Sequence, residues 1–249
     1  MKNKTNIINI LSCSLVLVLL ATMFFIVPDK ELSQKENRSL ALAPKFNIAQ
    51  LFLGEYTADL ADYISDQFPL RDTFVSVKAY SELLVGKLEN NGVVYGKGGV
   101  LIARDNMTEN RLKENIQAVS DFATATQVPV CLGILPRTID VFSEYLPQSY
   151  PIDNNSSLWK QYFECLKKRE LIVPNLYEPL CEQNNYYLTD HHYNTYGAYQ
   201  TYNLLGDSLG YTPKDIKFFK KEKVAEDFCG TSIRASGFYL ASKDKITLF

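Results

Sequence analysis

Charge is absent between Lys4 and Asp29, and Leu, Val, Ile, Phe and Met dominate Ile7–Val27. With a 1.5 Å rise per residue, about twenty such residues cross a hydrocarbon core of ~30 Å. The pattern therefore predicts a transmembrane signal anchor over residues 1–28. Lys2 and Lys4 on its leading flank keep the N-terminus inside and send the remainder outside. A cleaved signal peptide is the rival reading, but its apolar region is normally shorter. The A-x-A match Ala41-Leu42-Ala43 lies far beyond the run, and Cys13 has too little apolar sequence before it to be a lipoprotein cysteine. The expectation is a single-pass protein of the cell membrane with an extracytoplasmic C-terminal domain.

Residues 29–45 are polar and charged and read as a juxtamembrane spacer, which leaves residues 46–249 as the extracytoplasmic domain. Ile48–Ile64 carries apolar residues at helical spacing, with Asn47 as its cap and Gly54 as a weak point. Phe68-Pro69 breaks that pattern. A second helix comes next, with Asp72 as candidate cap and Phe74, Val77, Ser81, Leu84 and Leu88 on one face. Arg71 reads as a structural ion-pair partner of Asp66 or Asp72 rather than as a binding arginine. Val93–Tyr95 and Val100–Ile102 flank Gly96-Lys97-Gly98-Gly99, a hairpin turn that lacks Walker spacing.

Thr108 caps a helix with Leu112, Ile116, Val119 and Ala123 inward, ending near Gln127. Val128–Leu135 is nearly continuous apolar sequence, as a strand covered on both faces would be. Ser157–Lys168 reads as a helix with Leu158, Tyr162, Cys165 and Leu166 inward. Leu171–Val173 reads as a short buried strand, Glu178–Asn184 as a short helix, and Tyr186–Leu188 as an apolar lead-in to the next motif. This alternation predicts an α/β fold with a mostly parallel sheet flanked by crossover helices. Arg137 and Thr138, at the C-terminal end of the Val128–Leu135 strand, become candidate binding residues, because ligands of open α/β sheets sit at that edge.

Hydrophobic residues make up 46% of the 249 and charged ones 22%, ordinary for a globular chain. A net charge of −2 gives no electrostatic case for nucleic acid. Sixteen tyrosines against one tryptophan suit either a sugar-binding cleft or a half-exposed core. The five cysteines, Cys13, Cys131, Cys165, Cys181 and Cys229, show no zinc-ligand spacing, although four of them would allow two disulfides.

Both histidines of the chain stand side by side after an acid, in Thr189-Asp190-His191-His192-Tyr193. In an extended segment residues i and i+2 share a face, so Asp190 and His192 can meet while His191 points away. A carboxylate beside an imidazole fixes its tautomer and stabilises the imidazolium, as a general base requires. Asp190 and His192 are thus the candidate catalytic pair, with His191 and Tyr193 as candidate binding residues. The alternative is a structural Asp–His hydrogen bond. Gly206-Asp207-Ser208-Leu209 spells GDSL, but it comes after a helical pattern and Gly210 stops it. A nucleophile turn should instead follow a strand.

TDHHY followed by GAYxxY resembles the DHHW protein family, with Tyr193 in place of that family's tryptophan. The segments ENRSLA (Glu36–Ala41), DQFPLRD (Asp66–Asp72), the run Asn91–Ile102 and Gly230-Thr231 resemble the same family, in the same order. That family is similar to alginate O-acetyltransferase-like proteins with a permuted SGNH-hydrolase fold. The resemblance implies that Asp190 and His192 belong to a triad whose serine comes after a later strand. It thereby leads to the expectation that the chain stops at Phe249 before that serine, as a truncated member. It also implies an O-acyltransferase or esterase acting on cell-envelope polysaccharide, with an acyl-donor membrane protein as partner and no cofactor. A non-catalytic envelope scaffold or carbohydrate-binding protein is the alternative. A metal-dependent phosphoesterase needs several more ligands converging on metal ions, and the chain has no second histidine site, so no metal is expected.

Overall fold

The computed structural model describes residues 2–36, 38–104, 108–126, 128–151, 163, 166 and 171–249. They divide into two compact units, Met1–Tyr80 and Ser81–Phe249.

The first unit opens with helix α1, Lys2–Ile26. The most apolar part of Lys4–Ile26 has mean hydropathy 2.5 and is unburied, and by length and composition the helix could cross a membrane. The segment expected to be a spacer is folded. Strands β1 (Leu32–Ser33) and β2 (Arg38–Ser39) pair antiparallel. Asn47 accepts hydrogen bonds from the amides of Ala49 and Gln50 and so starts α2, Ile48–Leu53. Gly54, at φ 81°, then stops that helix, and α3 continues over Glu55–Asp66. One expected helix is therefore two, because only a residue without Cβ adopts this left-handed turn cheaply.

An ion-pair knot clamps the hairpin to the end of α3 and the start of α4 (Arg71–Leu84). Arg38 makes a two-pronged bond to Asp66, 2.8 Å from Oδ2 and 2.5 Å from Oδ1, and a third at 2.7 Å to Glu36. Arg71 completes it at 2.8 Å from Glu36, and it lies farther from Asp66 and Asp72. The Ala41 amide also donates to Asp66, and Gln67 bonds the backbone of Lys30 and Ala41. The Arg38 guanidinium is the main reason that the Asp66 carboxyl is lowered to about 2. The family-like segments ENRSLA and DQFPLRD meet here.

In the second unit a turn at Asn91-Gly92, both with positive φ, joins β3 (Glu89–Asn90) to β4 (Val93–Tyr95). β4 pairs with β5 (Leu101–Ala103), with Val94 opposite Ile102. Gly98 and Gly99, at φ 69° and 81°, make the connecting turn. Val94, Val100 and Ile102 enter a core with Val141, Phe142, Leu146, Tyr150 and Tyr186. Each such side chain contributes about 2 kcal/mol by leaving water.

Thr108 caps α5, Glu109–Ala125, which buries Leu112 and Ile116 against Leu166. Leu132, Ile134, Leu171 and Val173 pack on that cluster. Leu158, Tyr162 and Cys165 of the expected helix lie outside the described residues. The remaining elements are α6 (Thr138–Val141), α7 (Tyr177–Leu180), α8 (Thr195–Leu209), β6 (Glu222–Phe228), α9 (Thr231–Ser236) and β7 (Asp244–Leu248). β6 and β7 pair antiparallel.

The architecture is mixed α/β with small sheets, and the expected mostly parallel sheet is corrected. Every ladder among the described strands is antiparallel, and parallel pairing reduces to one bridge, Cys131 to Ile172. Strands joined by turns as short as Asn91-Gly92 can only run antiparallel. Among the described residues, the run Val128–Leu135 bonds Ile172 through Val130 and Leu132. Cys13, Cys131, Cys181 and Cys229 are free thiols, and Cys165 lies outside the described residues.

Arg38 is 38% exposed, so solvent screens its pair with the partly buried Asp66. Asp66→Ala should therefore lower unfolding stability by about 1 kcal/mol, read by urea denaturation of the full chain in detergent. The Asp66 carboxyl is depressed from 3.8 to about 2. Its contribution is whole above pH 3.8 and fades as pH falls toward 2. The variant should lack that acid-dependent loss.

Candidate functional site

The motif Thr189–Tyr193 is a bend, not an extended strand. An antiparallel bridge from Tyr186 to Tyr193 closes it, supported by the Asn194 amide donating to the Asn185 carbonyl at 2.8 Å. The Asn194 side chain also donates to the Asn184 carbonyl and accepts from the Gly197 amide, which starts α8. Gly197 is buried here, and a Cβ would run into the Asn185 carbonyl and, at 3.0 Å, the Tyr193 Cβ.

A buried carboxylate holds the bend from beneath. Asp244, at the start of β7, accepts the amides of Leu188 and Thr189, each at 2.8 Å, and the Thr189 hydroxyl. Thr189 in turn accepts from Gly230 on its hydroxyl and from Ser232 on its carbonyl. Gly230 sits so close that a Cβ would lie 2.6 Å from Asp190 Cβ and overlap the Thr189 carbonyl. This contact brings the first turn of α9 against the acid.

Asp190 is 3% exposed. Its Oδ1 lies 2.6 Å from His192 Nδ1 and accepts the His192 amide at 3.0 Å, while Oδ2 accepts the Thr231 amide at 2.7 Å. Burial pushes the Asp190 carboxyl up, but the Thr231 amide, the His192 ring, the His192 amide and the Thr231 hydroxyl outweigh it. The carboxyl ends below its ordinary range. Asp190 is thus an ionised, buried acceptor, and His192 presents its ring above it with a side-chain exposure of 64%. The arrangement can deliver a proton-accepting nitrogen to solvent with a fixed counter-charge behind it.

His191 does not point away, as an extended segment would require. The bend turns its ring onto that of His192, with centroids 3.9 Å apart and planes tilted by 38°. Its Nδ1 lies 2.8 Å from the Thr231 hydroxyl and 3.8 Å from Asp190 Oδ1. Burial and the neighbouring His192 depress the His191 pKa against the pull of Asp190. The ligand atoms of Asp190, His191 and His192 all fall within 4.8 Å of one another.

Tyr193 packs edge-to-face on Tyr186, 6.4 Å between centroids, at the margin of the Val94–Ile102 core. Arg137 holds Asp140 with a fork at 2.8 and 2.7 Å, and Thr138 is buried with its hydroxyl directed to the Ala103 carbonyl. Ser208 belongs to the last turn of α8, which Gly210 ends at φ 75°. Thr189, Gly230, Thr231 and Asp244 are the supporting residues that residue-type reasoning missed. Gly230-Thr231 is legible in the sequence only as a family-like dipeptide.

No protein-family model matches the chain. No curated protein matches it either. Solved structures similar to it include the O-acetyltransferase domain of Pseudomonas putida AlgJ, at 18% identity and TM-score 0.49, covering 63% of each chain. A DHHW family protein from Eubacterium siraeum is similar at 20% identity and TM-score 0.49, over 64% of this chain and 54% of that one. Bacillus cereus PatB1 with a sulfonyl adduct is similar at 16% identity and TM-score 0.47, over 62% and 54%. The chain spans 54% to 63% of the length of these proteins.

Losing the Asp244 carboxylate would orphan two amides and a hydroxyl. Asp244→Ala should cost about 3 kcal/mol, checked by thermal unfolding. It should also move the His192 ring resonances in a nitrogen-detected NMR spectrum, because the bend that carries Asp190 loses its support. An unchanged spectrum would contradict this dependence.

Proposed function

We propose that this chain is a membrane-anchored, extracytoplasmic acyl-transfer protein of SGNH-like type, acting on envelope carbohydrate as an O-acyltransferase or esterase. The observation that carries the reading is the 2.6 Å contact between buried Asp190 and exposed His192. It joins the sequence resemblance of TDHHY and its companion segments to the DHHW family. The apolar helix α1 supplies the anchor in this reading, with Lys2 and Lys4 on the inner side.

Asp190 is held ionised, so it accepts the Nδ1–H of His192. The Nε2 lone pair is then the free one, on the open side of the ring. Nε2 takes the proton of a hydroxyl as that oxygen attacks an acyl carbonyl. The imidazolium that forms lies against the Asp190 carboxylate, which stabilises it. The same proton is returned to the leaving oxygen when the acyl group moves on. Asp190 itself keeps its charge throughout. Among the described residues no serine hydroxyl is bonded to His192.

The test is acetyl transfer from 4-nitrophenyl acetate to a chito-oligosaccharide by the full chain in detergent. His192→Gln should reduce turnover at least ~10³-fold, and Asp190→Asn about 10⁴-fold, since the amide favours the wrong tautomer. Measurable turnover that is equal in wild type and His192→Gln would refute the reading.

A further inference from the structure

The bend does something that an extended strand would not: it brings a second imidazole to the Asp–His pair. Zinc bound by nitrogen and oxygen ligands at about 2.0–2.1 Å in tetrahedral geometry needs donor atoms roughly 3.3 Å apart. Asp190 Oδ1 lies 2.6 Å from His192 Nδ1 and 3.8 Å from His191 Nδ1, which brackets that spacing. Equalising these two distances takes side-chain movements of well under an ångström, and the three donor atoms all lie within 4.8 Å of one another. His191 and His192 have side-chain exposures of 51% and 64%, so a metal ion would reach them from solvent.

We propose that Asp190, His191 and His192 form a binding site for a divalent transition-metal ion of the zinc type, which competes with the free Asp–His pair. Two imidazoles and a carboxylate are a donor set that suits Zn²⁺. The ion takes the place of the proton between Asp190 Oδ1 and His192 Nδ1. That proton moves to Nε2 of the same ring, so the imidazole stays neutral overall. The His191 Nδ1 exchanges its contact with the Thr231 hydroxyl for the metal. The Asp190 Oδ2 bond to the Thr231 amide is untouched, and it keeps the carboxylate oriented as an outer partner would.

With a proton on Nε2 and a metal on Nδ1, His192 has no lone pair left to accept a proton. Zinc binding therefore switches off the base. The binding itself stands without the acyl-transfer reading; only the inhibition rests on it.

Isothermal titration of the full chain in detergent with ZnCl₂ tests the site. The expectation is one ion per chain, with at least a tenfold weaker constant in His191→Ala and in His191→Asn. Circular dichroism checks that both variants are folded. Binding should persist in a Cys131→Ser, Cys229→Ser double variant. The site is overturned by an absence of stoichiometric binding, by wild-type affinity in either His191 variant, or by loss of binding in the cysteine variant. If the wild type transfers acetyl groups, Zn²⁺ should inhibit it and His191→Ala should resist. Stoichiometric zinc binding together with turnover that is equal in wild type and His192→Gln would leave the site standing and remove the acyl-transfer reading.

Discussion

A carboxylate placed under open imidazoles stays charged only where enough donors face it. Burying an ion unpaired would cost several kcal/mol, and the group would neutralise instead. Asp190 avoids this with two amides and a ring nitrogen, and those donors come from two parts of the chain: His192 beside it and Thr231 at the start of α9. Their convergence depends on Asp244, which is spent entirely on the backbone and hydroxyl of the bend. One acid holds the loop so that another can hold the imidazole. The absence of a side chain at Gly230 lets the two segments close to contact distance.

This layering divides rigidity from access. Thr189 and Asp190 are sealed at 0% and 3% exposure, while both histidines stand open. A site of that kind fixes the acid and leaves the ring's far nitrogen available, which is the division that proton transfer at a surface needs. Tyr193, Arg137 and Thr138 share none of it directly. Tyr193 serves the core, and Arg137 is occupied by Asp140 three residues on.

Much of the pair was legible in the sequence because it is local. Asp190 and His192 are two residues apart, and short spacing constrains geometry whatever the backbone does. The direction of His191 was not legible, because it depends on whether the segment is extended or bent. The bend is set by a bridge between Tyr186 and Tyr193 and by Asp244, far away in the chain. Caps and turns with their own chemistry, such as Asn47, Thr108 and the Gly98-Gly99 pair, could be read directly. The Asn91-Gly92 dipeptide carried an equally plain hairpin signal, but only two polar residues precede it as a strand, too few to show alternation. β6 was hidden because Glu222–Phe228 is mostly exposed and charged, and its strand identity comes from pairing with β7. The sheet's direction was misjudged for a related reason: apolar runs reveal burial, while orientation is decided by connections.

The knot of Glu36, Arg38, Asp66 and Arg71 stiffens the chain just beyond the apolar helix. A flexible tether of similar length would let its far end roam over roughly 20 Å. Here Phe24 rests on Tyr63, Asp29 accepts that tyrosine's hydroxyl, and the guanidinium fork ties the intervening hairpin to α3. The end of α1 and the last turns of α3 are thereby joined by a ring contact, a hydroxyl bond and the ion-pair knot. A tilt of the first meets resistance from these contacts before it reaches the second.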